Sequence, residues 1–375
     1  MTGFSAATLP FGIAGGRVVT RLGDAVLAVG DVVADPVFES PSLNAFMAQG
    51  PDAWQEVRQA LTATAASPGT LPTTPIGDVE LSLPVEIGDY VDFYSSLQHA
   101  TNLGHLFRPD GEPLLPNWRH LPVGYHGRSG TIAVSGTPVL RPTGLVPSGE
   151  GVVRQPSARL DIELEVGFVV GVGNERGHPI GVDDVDRHVF GAVLVNDWSA
   201  RDIQAFEYVP LGPFLGKSFL TSISPWVVPL EALRPHLVPA AAQDPRPDEL
   251  LRARRDWGLD LELEVELNGT TVSRTNFRHL YWSFAQQLAH LTSNGASTRP
   301  GDLFASGTVS GPTPTEYGSL LELTWRGRDP LTLADGSTRS FLEDGDTVVL
   351  RGWCGEGDRR VDFGDVVGTV HPAGG

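Results

Sequence analysis

The amino-acid sequence predicts a mainly β protein: a small N-terminal unit over residues 1–84, then a larger region over 85–375 built as a sandwich or barrel-like roll. Three observations carry that expectation. Glycine (44) and proline (30) are plentiful, and through the second half their turn signals return about every ten residues, the spacing of short strands joined by turns. Most apolar runs are short and either alternate with polar residues or are rich in β-branched side chains, as half-buried and central strands require. Helical periodicity is confined to a few segments.

Taken in chain order, RVVTRLGDAVLAVGDVV (17–33) alternates and turns like a small β-unit. Residues 40–66 read as two helical pieces, with Ser42 placed to cap the first and Pro51 to open the second. The Pro/Thr-rich connector 67–84 ends in an alternating run and sets the boundary. DYVDFYSSLQHATNL (89–103) is predicted as a helix, so that Asp92 and His99, two turns apart, share a face beside Tyr90 and Tyr94. Strands follow in TIAVSGTPVLRP, DIELEVGFVVGVG, FGAVLVNDW, SPWVVPL, LELEVELNG, SLLELTW and DTVVLRGW. A further helix is predicted over 276–295, stopped by Asn294–Gly295.

Bulk properties exclude several functions. The formal net charge is −18, whereas nucleic-acid binding needs a basic footprint that neutralises phosphates. No apolar run approaches a membrane span. The N-terminal MTGFSAATLP lacks a basic region followed by an apolar core, so a soluble, cytoplasmic protein is expected. Cys354 is the only cysteine, which excludes an intramolecular disulfide and a cysteine-rich metal site. Of 27 basic residues only Lys217 is lysine. Either that lysine survived by chance in an arginine-biased chain, or a compact ammonium is chemically required there.

Two motifs are decoys. LGPFLGKSF (211–219) has three residues between Gly212 and Gly216 where a phosphate-binding loop needs four, and Pro213 removes a backbone N–H. GVGNERG (171–177) departs from dinucleotide spacing and is not followed by a helix, so it reads as a turn. There is no G-x-S-x-G elbow.

The stretches LDIELEVG (160–167) and LDLELEVE (259–266) are nearly the same peptide. The first continues as FVVGVG, apolar on both faces, and is predicted to be central. Buried carboxylates there must be paired, protonated or bound to metal. The second runs into the hairpin turn Asn268–Gly269 and is predicted to be a solvated face. VLVNDWSARD ends an apolar strand on Asp197, which is either a helix cap or a functional carboxylate held at a strand end. Asp92, Glu163, Glu165 and Asp197 together would form an all-oxygen donor set, which selects Mg²⁺ or Ca²⁺, with Mn²⁺ possible, over Zn²⁺. Lys217 and Arg201 are available to balance its charge.

Long blocks then become recognisable. DYVDFYSSLQHATNLGHLFR (89–108), LLPNWRHLPVGYHGR (114–128), LDIELEVGF (160–168), NDWSARDIQAFEYVPLGPFLGKSF (196–219), RPGDLFASGTVSGP (299–312) and YGSLLELTW (317–325) resemble, in order, the fumarylacetoacetase family. LPFGI (9–13) and SLNAFMAQGPDAWQEVRQAL (42–61) resemble its small N-terminal domain. The resemblance implies an SH3-like β-barrel over 1–84, a catalytic β-roll over 85–375, and a homodimer. It implies hydrolysis of a carbon–carbon bond in 4-fumarylacetoacetate to fumarate and acetoacetate, the last step of tyrosine and phenylalanine catabolism, with a divalent cation and no organic cofactor. By the same resemblance Asp92, Glu163, Glu165 and Asp197 are metal ligands, His99 the general base and Glu322 the acid that orients it. Tyr94, Arg108, Tyr125, Gln204, Tyr208 and Thr308 are implied to contact substrate, and Arg201, Gln204 and Lys217 to stabilise the oxyanion. Lys217 and Thr221 are implied to lie near a second cation position. Leu220 departs from the family's Gly-Lys-Ser-Phe-Gly-Thr pattern and would be strained if its position required positive φ.

Two competing expectations stand beside this one. A related keto-acid hydrolase, decarboxylase or isomerase would reuse the metal carboxylates. A non-enzymatic metal-binding protein would not require His99 with Glu322.

Overall fold

The computed structural model describes residues 4–67 and 72–374. Part of the 67–84 connector therefore lies outside the described residues. An antiparallel five-stranded sheet comes first, ordered β4-β3-β2-β1-β5: β1 (Phe11–Ala14), β2 (Arg17–Leu22), β3 (Ala25–Ala28), β4 (Thr74–Pro75) and β5 (Leu81–Ser82). Between β3 and β4 lie α1 (Asn44–Met47) and α2 (Pro51–Ala65), the two helical pieces expected. Pro51 opens α2 as predicted, and the Ser42 hydroxyl accepts from the Asn44 amide at 3.2 Å just ahead of α1.

Two larger sheets follow. One is ordered β7-β6-β14-β9-β10-β11-β8, with β6 (Tyr90–Phe93), β7 (Gly124–His126), β8 (Ile132–Val134), β9 (Leu164–Val170), β10 (Val189–Asp197), β11 (Thr221–Ile223) and β14 (Leu303–Ala305). Residues 228–229 add a short strand beside β10. The other is ordered β13-β12-β15-β16 and then residues 139–140, with β12 (Glu262–Leu267), β13 (Thr270–Asn276), β15 (Thr347–Cys354) and β16 (Val366–His371).

Strands β9 and β10 are buried along their whole length, because both faces are covered. Strand alternation divides their side chains between two cores. Val166, Phe168 and Leu194 pack with Leu263 and Leu350 of the second large sheet. Val169, Val193 and Val195 pack with Phe11, Phe46 and Leu61 of the N-terminal unit. The main chains of Phe11 and Val227 also bridge the two regions. The same alternation puts Asp92, Glu165, Asp197 and Thr221 on the face of Tyr90, Val169, Val195 and Ile223. A continuous apolar surface thus ends in a row of acids.

Four expectations need correction, three of them in the framework and one, SLLELTW (319–325), at the site described below. Residues 89–103 are not one helix: Tyr90–Phe93 form β6, parallel to β14, and α3 spans Leu97–Phe107. The aromatic and β-branched YVDF run suits a strand, and Ser96 caps the helix by accepting from the His99 amide. The helix predicted over 276–295 is α5, Phe284–Thr292. Residues 270–276 are needed as β13, and Ser283 starts the helix through a capping box with Gln286. The second acidic stretch is not simply solvated. Glu264 is buried and pairs with Arg274 at 2.8 Å and Arg351 at 3.1 Å, because β12 lies between β13 and β15. Its hairpin turn is as expected, with Asn268 and Gly269 both at positive φ.

Candidate active site

Asp92, Glu163, Glu165 and Asp197 converge from three segments, their nearest carboxylate oxygens all within 4.8 Å of one another. Asp92 comes from β6, Glu165 from β9, and Asp197 from the end of β10. Glu163 lies in the irregular residues just before β9, and its carbonyl accepts from the Asp197 amide. All four are buried.

Buried like charges raise one another's proton affinity. Burial, then Asp197, holds the Asp92 carboxyl well above the usual range. Burial, then Asp92 and Asp197, does the same to Glu165. Asp197 is also raised by burial, with Lys217 opposing. Glu163 goes the other way: burial pushes it up, but Arg201, Lys217 and His99 outweigh burial and hold it low. The Lys217 ammonium touches Glu163 and lies 2.6 Å from Asp197. Arg201 approaches Glu163 to 2.7 Å. Lys217 and Arg201, the latter shared with Asp161, offset only part of the charge of the four carboxylates, which leaves a negative excess that a cation would offset. Both Glu165 oxygens and Asp92 Oδ1 are buried without a hydrogen-bond partner, and such oxygens are costly unless something binds them. The donor set thus fits a divalent, oxygen-preferring cation.

Facing the cluster is His99, in the first turn of α3. Its Nδ1 lies 2.6 Å from Glu322 Oε2, which fixes a tautomer protonated at Nδ1 and leaves Nε2 as the basic nitrogen. Nε2 points toward the acids, 3.9 Å from Glu163 Oε1. The Tyr94 ring stands edge-on to the imidazole at 5.3 Å. Glu322 is itself held by Ser310 (2.9 Å), Ser319 (2.8 Å) and Asn102 (2.9 Å).

SLLELTW, predicted as a strand, instead forms the short helix α6 (Leu320–Leu323). Ser319 caps it by accepting from the Glu322 amide, and buried Asp161 accepts from the Leu320 and Leu321 amides. The Ser319 cap is a local Ser-x-x-Glu pattern that competes with the strand-like alternation, whereas the Asp161 contacts come from a residue remote in sequence. Asn102, Ser310, Ser319 and Asp161 are site residues that sequence reasoning missed. Asp161 left a signal by lying in the acidic stretch already singled out, and Ser319 left one as the first residue of the Ser-x-x-Glu capping pattern 319–322.

A cleft of about 410 Å³ is lined by Asp92, Glu163, Glu165, His99, Arg201, Lys217 and Gln204, and by the expected contacts Tyr94, Arg108, Tyr125, Tyr208 and Thr308. Glu322 lies behind His99. Arg108 donates to the Pro113 carbonyl at 2.6 Å, while its Nε and the Thr308 hydroxyl are buried without partners. Gln204 accepts from Arg201 at 3.2 Å. Tyr208 is exposed. Asp197, Lys217 and Thr221 also line a neighbouring hollow with Tyr125. There the Thr221 hydroxyl donates to Asp197 at 3.2 Å. Leu220 is free of the strain considered above: its φ is not positive, and its side chain joins the core.

The fold and cleft define a class: a mainly β protein presenting a buried cluster of four carboxylates, suited to a cation, opposite a carboxylate-held histidine. Residues 90–371 match the family model described as fumarylacetoacetate (FAA) hydrolase C-terminal, and residues 7–84 that described as fumarylacetoacetase N-terminal. Fumarylacetoacetase of Rattus norvegicus is 49% identical over 355 residues, covering 90% of this chain and 85% of the rat protein. That of Arabidopsis thaliana is 43% identical over 405 residues, covering 99% and 96%. The chain belongs to the fumarylacetoacetase family. Among solved structures, a putative HpcE protein from Mycobacterium smegmatis aligns over 97% of this chain and 100% of its own, with TM-score 0.62 and 20% identity. That likeness concerns the fold.

Proposed function

We propose that this protein is an enzyme that hydrolyses 4-fumarylacetoacetate to fumarate and acetoacetate. The observation that carries the proposal is His99, held by Glu322, with its basic nitrogen aimed at the four-acid cluster. A non-enzymatic metal-binding protein has no need of that pair. Family membership supplies the substrate.

Asp92, Glu163, Glu165 and Asp197 would hold the cation, Mg²⁺ or Ca²⁺ being the preferred choices. When bound, such an ion supplies Lewis acidity toward the oxygens of a 1,3-diketone and the enolate charge that develops on cleavage. His99 Nε2 takes a proton from water, and the oxygen attacks the carbonyl carbon next to the unsaturated acid. Glu322 keeps the imidazole oriented and stabilises it once protonated, a general-base contribution of about 10²–10⁴ in rate. Arg201, Gln204 and Lys217 donate to the oxygen that becomes negative. The bond to the neighbouring methylene then breaks, the electron pair passes to that carbon, and the proton held by His99 returns to it. Arg108, with Tyr94, Tyr125, Tyr208 and Thr308, supplies donors for a dianionic substrate, which is how an acidic protein binds an acid.

Lys217 and Thr221 would border a second cation position beside Asp197. The remaining proposals that follow the same resemblance are an SH3-like unit over 1–84, a catalytic β-roll over 85–375 and a homodimer; a cytoplasmic location is proposed from the composition. No helix among the described residues is long and apolar enough to cross a membrane.

The test is loss of the diketone absorbance, measured with chelator and with Mg²⁺ or Ca²⁺, for wild type and His99→Ala. Cation-dependent loss with fumarate appearing, abolished in the variant, is expected. Cleavage of simpler acylpyruvates but not of this substrate would overturn the specific assignment. Activity that survives in His99→Ala would overturn the base.

A further inference from the structure

We propose that Asp161 is a positioning residue that sets the oxyanion group and the general-base pair in one fixed relation. The inference rests on the reaction proposed above, and goes beyond the residues it uses.

Asp161 is fully buried, and each of its oxygens accepts two hydrogen bonds. Oδ1 accepts from the Ile162 and Leu320 amides, both at 2.7 Å. Oδ2 accepts from Arg201 Nε at 2.8 Å and from the Leu321 amide at 3.1 Å. Arg201 thereby has one edge pinned, while its other nitrogens face Glu163 and Gln204. Leu320 and Leu321 open the short helix that carries Glu322, so the same carboxylate sets where that helix begins. A helix this short does not hold its place by its own hydrogen bonds, whereas a charged acceptor at its first two amides does so through charge-assisted bonds. Asp161 touches neither the cleft nor His99. It acts through Arg201 on one side and Glu322 on the other, which ties the spacing of the two halves of the machinery to one side chain.

Asp161→Asn retains one acceptor oxygen but presents an NH₂ to Arg201 and Leu321. Misplacing catalytic groups by about an ångström costs on the order of 10² in rate. The expected result on 4-fumarylacetoacetate is a kcat lower by about 10²-fold, with KM within about threefold of wild type. Mn²⁺ stoichiometry and the fraction folded should be unchanged. In an Arg201→Ala, Glu322→Gln background the same substitution should cost far less, because its targets are gone. An unchanged kcat in folded Asp161→Asn would overturn the proposal, as would an equal loss in both backgrounds or a loss explained by cation content alone. Should Asp161→Asn not fold, Asp161→Asn/Arg201→Gln, a neutral amide pair, is compared with Arg201→Gln, and Asp161→Asn/Arg201→Gln/Glu322→Gln with Arg201→Gln/Glu322→Gln. A drop that persists when Glu322 is already replaced would overturn the assignment; one that vanishes there supports it. If wild type leaves 4-fumarylacetoacetate intact, the substrate assignment has failed, and the same variants on an acylpyruvate that wild type cleaves decide the role of Asp161.

Discussion

Glu322 shows how one buried carboxylate is kept ionised. Burial pushes its proton affinity up, yet His99, then Asn102 and Ser319, more than offset this and hold its carboxyl below the usual range. A carboxyl depressed in the folded state adds stability above its unfolded pKa of about 4.3, and that stability is lost as pH falls through the lower folded value. Glu322→Gln removes the charge and can turn its NH₂ toward Nδ1, which favours the other tautomer. Its kcat should fall by about 10²–10⁴, since the imidazole is no longer held in the working tautomer or stabilised when protonated. In urea melts, the gap in midpoint between wild type and variant should be widest near neutrality and close below about pH 4.3. A gap of constant size from neutral to acid pH would mean that the carboxylate is not what His99 stabilises.

Elements, rather than single residues, decide whether the four acids meet. Strand β6 brings Asp92 in from the sheet edge, parallel to β14, and the chain leaves β14 through Gly307 with φ +75°. A Cβ at Gly307 would lie 2.1 Å from the Phe93 carbonyl oxygen, and positive φ disfavours any other residue there. Gly307→Ala should therefore separate β6 from β14, costing on the order of 1–3 kcal/mol in a denaturant melt. Cation binding by titration calorimetry should weaken as well, because Asp92 moves with its strand; unchanged affinity would show that the cluster tolerates a displaced β6. Much of the element plan was legible in the sequence. The apolar runs 164–170 and 189–197 announce central strands, and Pro51 and Asn268–Gly269 announce a helix start and a hairpin. What was illegible depended on partners distant in the chain. YVDF is a strand because β14 accepts it, SLLELTW opens as a helix because Asp161 holds its first two amides beyond the local Ser319 cap, and Glu264 is buried because Arg274 and Arg351 cover it. The four acids were grouped as one oxygen donor set from their local context, and the long resemblance then assigned them as ligands; the structure brings them together.

For the whole molecule, the loop beyond α4 (Arg201–Glu207) raises the question of what covers it. Val209, Leu211, Phe214 and Leu215 are exposed, Leu211 at 96%, and Leu145, Val152 and Val153 are exposed on the hairpin formed by residues 143–148 and 151–156. Neighbouring exposed apolar side chains mark an association surface more often than a solvated one. A second copy of the chain is the economical partner, because a two-fold pairing lets the same patch serve both subunits. The loop also borders the cleft through Tyr208, Leu211 and Pro213, so covering it would fix the mouth of the active site. In the proposed homodimer, replacing both Leu211 and Phe214 by Asp would place four charges in the two-fold interface. Light scattering should then report a mass near the 40.1 kDa of one chain, against twice that for wild type, with KM raised more than kcat is lowered. A variant that remains dimeric would place the subunit contact elsewhere. A monomer with unchanged KM would separate assembly from the shape of the cleft.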